Sequence, residues 1–376
     1  MKGSSTGRSR ALLVLAVALS ACGPDGGAAQ QGGPERWATD FSRHTVPLDE
    51  IVSGGPPKDG IPALDQPRFV TVADARAWLS DEEPVLVVEH AGAARAYPYQ
   101  ILIWHEIVND EIGGLPLAVT YCPLCNTALV FRREHGDRVL DFGTTGRLRH
   151  SDLVMYDRQT ESWWQQATGD AIVGQMAGEK LVLHPAQTTS WRDFRKAHPR
   201  GEILSRETGY DRPYGKNPYA GYDRGAGPIA SFFRRRVDDR LPAMERVVAV
   251  TRGEIHVAYP FGRLAEVRVV NDEIAGLPLV VFWAPGTASA LDAESVAGGR
   301  DVGATGVFSR RTADRTLDFQ PDDDGTFRDR QTGSVWSLTG EALSGPLAGT
   351  RLERLPHGDY LWFAWAAFRP ETDVRR

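Results

Sequence analysis

Cys122 and Cys125 stand two residues apart in "VTYCPLCNTALVF", Val119–Phe131. A thiolate pair at that spacing can grip a single metal ion, with Zn–S bonds of about 2.3 Å. The flanking runs read as strand, turn and strand, the setting of a zinc knuckle, and Pro123 stiffens the turn. A closed tetrahedron needs two more ligands. His105 is the expected third; His150, Glu106 or water is the expected fourth. Sulfur together with imidazole suits zinc or copper. No second CxxC accompanies the first, so other uses of the pair stay open. One is thiol–disulfide redox chemistry. Thioredoxin-type proteins place CxxC at a helix N-terminus, which lowers the pKa of the attacking thiol. Here "NTALVFRRE" alternates like a strand. A redox disulfide of another design stays open, since a bridge closing so tight a ring is strained and more easily reduced. The other alternative is a structural disulfide in a non-catalytic envelope binding or scaffold protein. Its short loop yields only a small chain-entropy gain.

Weaker chemical signals surround this one. His105 and Glu106 are adjacent, and on a strand adjacent side chains point to opposite faces, which speaks against a cooperating acid/base pair. "GTTGRL", Gly143–Leu148, lacks the Lys and Ser/Thr of a phosphate-binding loop, and no G-x-S-x-G, H-E-x-x-H or EF-hand pattern occurs. His184, His198 and His357 stand beside Pro or Gly and read as solvated residues of loops or helix ends.

The elements that must position these residues occur twice. "AYPYQILIWHEIVNDEIGGLP" (Ala96–Pro116) matches "AYPFGRLAEVRVVNDEIAGLP" (Ala258–Pro278) at an offset of 162 residues, and that offset persists to Pro123 and Pro285. "VFRREHGDRVLDF" (Val130–Phe142) matches "VFSRRTADRTLDF" (Val307–Phe319). "YDRQTESWWQQATGDAIVG" (Tyr156–Gly174) matches "RDRQTGSVWSLTGEALSG" (Arg328–Gly345). "TSWRDFRKAHP" (Thr189–Pro199) lies alongside "YLWFAWAAFRP" (Tyr360–Pro370). Four matches in one order point to tandem duplication. Each copy reads mainly as β: two strands around Gly92, a turn at Asn109–Asp110 feeding a β-run, and a hairpin bending at "HGDR". Helices are few. Thr71–Glu83 carries a capping Thr or Asp, and Thr189–Pro199 stops near its proline. The expected fold is therefore mainly β with a few short helices, in two barrel-like or sandwich-like modules related by a pseudo-twofold.

One copy interrogates the other. Asn109/Asn271, Asp110/Asp272, Asp157/Asp329 and Trp164/Trp336 occur in both, so they are assigned to the fold: turn residues for Asn-Asp, core for the tryptophans. Cys122 faces Ala284, Cys125 faces Thr287, His105 faces Val267 and Glu106 faces Arg268. Chemistry is expected among these four, which the second copy has replaced.

The linked motifs "AYPYQIL", "WHEIVND", "LPLAVTYCPLC", "DRQTESWWQ" and "LWFAWAAFRPET" resemble a bacterial family known as domain of unknown function 3179. The resemblance covers roughly Phe41 to Thr372. It implies an exported or membrane-attached protein and carries over no activity. The motif positions it maps are His105, Glu106, Cys122 and Cys125; His150 lies outside the pattern.

The front of the chain supports export. Lys2, Arg8 and Arg10 precede a short apolar run, Ala11–Leu19, and then "LSAC". This has the plan of a secretory signal over 1–21, and the apolar run is too short to span a bilayer. "LSAC" resembles a lipobox, which implies cleavage before Cys22, acylation of its sulfur, and a lipid bilayer as partner. Residues 22–40, rich in Gly, Gln, Ala and Pro, read as a tether. Residues 41–207 form the expected first module, 208–227 a Gly-, Pro- and Tyr-rich crossover, and 228–376 the second module. A formal net charge of −6 argues against nucleic acid as a partner.

Overall fold

The computed structural model describes residues 37–376; the expected signal segment and the expected lipidation at Cys22 lie outside them. The fold is mainly β, with 40% strand, 14% helix, five short helices and several sheets that include a half-barrel. The described residues form a single compact unit.

Among the described residues, three larger sheets and the two-stranded hairpin Glu134–His135/Arg138–Val139 come from the first half of the chain. One orders the strands Ile51–Ser53, Phe142–Arg149, Asp152–Asp157, Trp163–Gln165 and Ala171–Val173. A second orders Leu183–His184, Thr127–Arg132, Leu115–Cys122 and Ile107–Ile112. A third carries the expected pair around Gly92, Pro84–His90 with Ala93–Pro98, where Ala91 and Gly92 both take positive φ. The second half repeats the local pairing. Ile107 stands opposite Thr120, and Val269 stands opposite Phe282, the same register 162 residues on.

The residues assigned to the scaffold act as one, with a correction for Asn-Asp. Asn109 and Asp110 are not turn residues; they lie inside the strand Ile107–Ile112, and the turn falls at Gly113–Gly114. Asn109 stitches two sheets: its side-chain amide donates to Phe142 O (2.8 Å) and its Oδ1 accepts from Phe142 N (2.9 Å). Asn271 does the same to Phe319 at 2.8 and 2.9 Å. Asp110 receives Tyr97 and Arg95; Asp272 receives Tyr259 and Arg375. A strand Asn-Asp whose side chains bind neighbouring elements is indistinguishable in sequence from a turn Asn-Asp.

Local signals set the helices. Thr71 and Asp74 form a capping box, yet only Val72–Ala75 is helical, far less than the expected Thr71–Glu83. Ser190 caps Trp191–Ala197, which stops before Pro199. The helix Tyr99–His105 was not expected; "YQILIWH" is apolar nearly all round, so it shows no amphipathic period, and its side chains are almost all buried. His184 and His357 are buried and His198 is mostly covered, so none of the three is a solvated loop residue.

The two halves share a core. Gln187 donates to Thr305 O (2.9 Å) and Leu338 O (3.0 Å), and Tyr360 and Trp362 pack in the same apolar cluster as Cys122, Cys125 and Trp164. Glu89 ties the halves electrostatically. It lies 2.6 Å from His198 Nε2, 2.9 Å from Arg354 Nη1 and 3.4 Å from Arg351 Nη1. Burial alone would raise its carboxyl; the His198 hydrogen bond and the arginine charges outweigh burial and hold it down to about 2. A depressed carboxylate stabilises fully above its ordinary value of 4.5 and loses that stabilisation as pH falls towards 2. Glu89→Gln is expected to cost about 2 kcal/mol at pH 7, discounted for partial exposure. In urea unfolding the gap to wild type should shrink steadily below pH 4.5. A pH-independent gap would assign Glu89 a packing role instead.

Candidate functional site

Cys122 ends the strand Leu115–Cys122, and Pro123–Cys125 closes a 3-10 turn. Asn126 takes left-handed φ of 51° and returns the chain into the strand Thr127–Arg132, giving the strand–turn–strand setting expected of the pair. Both cysteines are free thiols; Cys122 is 2% exposed and Cys125 is not exposed.

The third group is Asp152. It opens the strand Asp152–Asp157 after a two-residue hairpin loop, His150–Ser151, in which both residues have positive φ (53° and 67°). Such loops favour Gly or Asn, so this one is held against its preference by its surroundings. Ser151 N donates to Phe232 O at 2.9 Å, and Cys122 Sγ lies 3.7 Å from Ser151 O. One oxygen of Asp152 is fixed from the protein side: Oδ2 accepts from Gln165 Nε2 (2.6 Å) and Ala167 N (2.9 Å). Apart from the two thiols, whose hydrogen bonds hold the carboxyl down against its burial, Oδ1 is buried with no protein partner. Donor atoms of Cys122, Cys125 and Asp152 all lie within 4.8 Å of one another, the one such group found among the described residues.

Glu106 extends the cluster. It caps the helix Tyr99–His105 in left-handed conformation (φ 59°) and is nearly buried. Burial, and then the charge of Asp152, push its carboxyl up to about 8. Burial likewise raises Asp152 to about 6 and raises both thiols, Cys125 most. The strongest influences on Asp152 include no cation. Four acid-forming groups thus share one apolar pocket, and each is pressed towards its neutral form.

The two expected histidines are placed elsewhere. His105 ends a helix rather than lying on a strand, and both of its ring nitrogens are engaged: Nδ1 with Pro62 O (2.8 Å) and Nε2 with Tyr214 OH (2.6 Å). A carbonyl partner fixes the proton on Nδ1, and burial holds the ring neutral, with its pKa down to about 4. His150 packs against Phe368 and Phe233, and its Nε2 lies 3.2 Å from Glu50. Neither ring joins the three-residue group.

The segment 208–227 supplies residues that sequence reasoning passed over. Tyr222 donates to Leu124 O at 2.9 Å, across the thiol turn. Tyr219 is pushed up first by burial, then by Glu106 and Cys122. The second half lacks the whole arrangement. Ala284 ends its strand in the place of Cys122, and its hairpin Phe319–Pro321/Phe327–Asp329 stops before the register that Asp152 occupies.

A family described as "Protein of unknown function (DUF3179)" matches residues 58–372. The chain belongs to that family. Cys122, Cys125, Asp152, Glu106, His105 and His150 all fall inside the match. No curated protein and no solved structure shows a significant match.

Proposed function

We propose that this DUF3179 protein is exported and lipid-anchored through Cys22, and that Cys122, Cys125 and Asp152 hold one divalent ion of the zinc class. One observation carries the metal reading: two sulfurs and a carboxylate oxygen converge within 4.8 Å in a buried pocket, and the oxygen that Gln165 and Ala167 do not hold meets no protein partner but the two thiols. A cation would favour the ionised forms of a carboxylate and two thiols that burial presses towards neutrality. Gln165 orients Asp152 from behind, as outer partners do in metal sites. The carboxylate favours zinc over copper(I), which prefers sulfur alone. Glu106, whose carboxyl feels the charge of Asp152, or water would complete the set. A redox role is less favoured, because burial raises both thiols and leaves little thiolate at neutral pH. The matched registers of the two halves fit tandem duplication, with the second copy as scaffold.

Elemental analysis of protein isolated from its export compartment, combined with thiol titration, tests this reading. About one equivalent of zinc, with thiols that titrate only after chelation, is expected. Copper in its place would transfer the site to copper; no metal with two free or bridged sulfurs overturns it. Unchanged processing of a Cys22→Ala variant would remove the anchor. His105→Asn is expected to retain the full metal complement while losing about 1–2 kcal/mol of stability through its bonds to Pro62 and Tyr214. Loss of metal in that variant would restore His105 as a ligand.

A further inference from the structure

Gln165 faces two ways. It holds Asp152, and it also lines a cavity of about 430 Å³. Three guanidiniums, Arg149, Arg235 and Arg369, line the same cavity. Their charges are not cancelled equally. Arg149 is paired with Glu50 at 2.6 Å. The cavity's two carboxylates, Asp170 and Glu179, each face another base, Lys180 and His135, at 3.4 Å. Neither Arg235 nor Arg369 forms a close ion pair among the described residues, although the charge of Arg235 reaches Glu50 and helps to lower its carboxyl. Arg235 donates to Ala367 O (2.6 Å) and the Arg369 guanidinium to Phe368 O (3.0 Å), which fixes both without using most of their five donors. Ile172 and Phe368 supply apolar wall. A concave space of this size, largely preformed and carrying a few convergent donors, is the usual form of a small-molecule site.

We propose that this cavity binds a small organic oxyanion, a carboxylate or a phosphate ester, on Arg235 and Arg369. Planar guanidinium forks match both kinds of oxyanion and bind them with paired, charge-assisted hydrogen bonds. Arg149 Nη1 lies 3.4 Å from Gln165 Oε1, and Gln165 Nε2 donates to Asp152, so Arg149 and Gln165 link an occupant of the cavity to the proposed ligand Asp152. Coupling to that ion rests on the metal reading; the anion site itself does not.

Calorimetric titration of the full chain, metal-loaded and metal-free, with inorganic phosphate and separately with succinate, tests the proposal. Saturable binding of one of them is expected, and it identifies the oxyanion class. Arg235→Gln with Arg369→Gln should weaken binding at least about tenfold. Thr168→Glu, which places a negative charge on the cavity wall away from the helix end, should do the same if the arginine variants fold poorly. With cobalt in the metal site, the bound anion should shift the visible absorption, and Gln165→Ala should abolish the shift. Failure of both anions to bind, or undiminished binding in both the arginine and Thr168 variants, overturns the site. Arginine-dependent binding to a protein that holds no metal leaves the anion site standing and removes the metal reading alone.

Discussion

Cys122→Ser, Cys125→Ser and Asp152→Asn will each lower zinc affinity at least about 100-fold, since even outer partners of a bound ion contribute 10–100-fold. The sulfur variants remove a thiolate, and the serine hydroxyl does not deprotonate to replace it. Asp152→Asn retains an oxygen and its size but loses the charge. It also changes what Gln165 and Ala167 find behind it, so its effect combines ligand loss with disordered positioning. The metal-free proteins should behave differently from the loaded ones. Without an ion, the wild type buries four acid-forming groups with no cation among the strongest influences on Asp152, and Asp152→Asn relieves part of that strain. Asp152→Asn should therefore be no less stable than wild type when both are metal-free, and less stable when both are loaded. Competitive titration with a chromophoric chelator reads affinity, and thermal melts with and without chelator read the reversal. Equal affinity in all three variants would show that the convergence within 4.8 Å serves packing alone.

The sequence made the thiol turn readable because its signals are local. Pro123 after a β-run, two cysteines and a following alternation specify strand, turn and strand within thirteen residues. Asp152 was hidden by distance. It lies 27 residues beyond Cys125 and reaches the thiols only because the hairpin through His150 and Ser151 returns the chain to them. A signal for it did exist. Asp152 stands two positions beyond the candidate ligand His150, and an Asp opening a buried run needs a reason to be there. His105 misled for a related reason. A histidine bordering apolar residues can be a ligand or a satisfied core residue, and only the positions of Pro62 O and Tyr214 OH distinguish the two. Comparing the halves separated shared residues from unshared ones, but it could not say whether an unshared residue serves chemistry or packing. Tyr219 and Tyr222 belong to the segment 208–227, which has no counterpart to compare, so no contrast marked them.

Trp164 and Trp336 allow the shared scaffold to be tested directly. Neither ring is exposed. Each donates Nε1 to an aspartate Oδ2 at 2.9 Å, Asp157 for the first and Asp329 for the second. Each aspartate also holds the turn after it, through Thr160 or Thr332, with backbone contacts of 2.6 Å in both cases. The surroundings differ. Trp164 packs in the cluster that contains Cys122 and Cys125, whereas Trp336 packs among Phe282, Phe308, Phe319 and Phe327. Replacing either tryptophan with alanine empties a large buried volume and should cost about 3–5 kcal/mol. Replacement with phenylalanine keeps most of the apolar bulk and leaves one aspartate oxygen short of a donor, at a cost of about 1–3 kcal/mol. If the two halves use this unit for one purpose, the two phenylalanine variants should lose similar stability in urea unfolding, within about 1 kcal/mol. Metal affinity should separate them. Trp164→Phe loosens the wall shared with the thiols and should weaken zinc binding, and Trp336→Phe should leave it unchanged. Equal metal loss in both would mean that the thiol pocket depends on the whole unit rather than on its own half. Grossly unequal stability loss would mean that identical contacts in the two halves carry different loads, and the use of one half to read the other would fail with it.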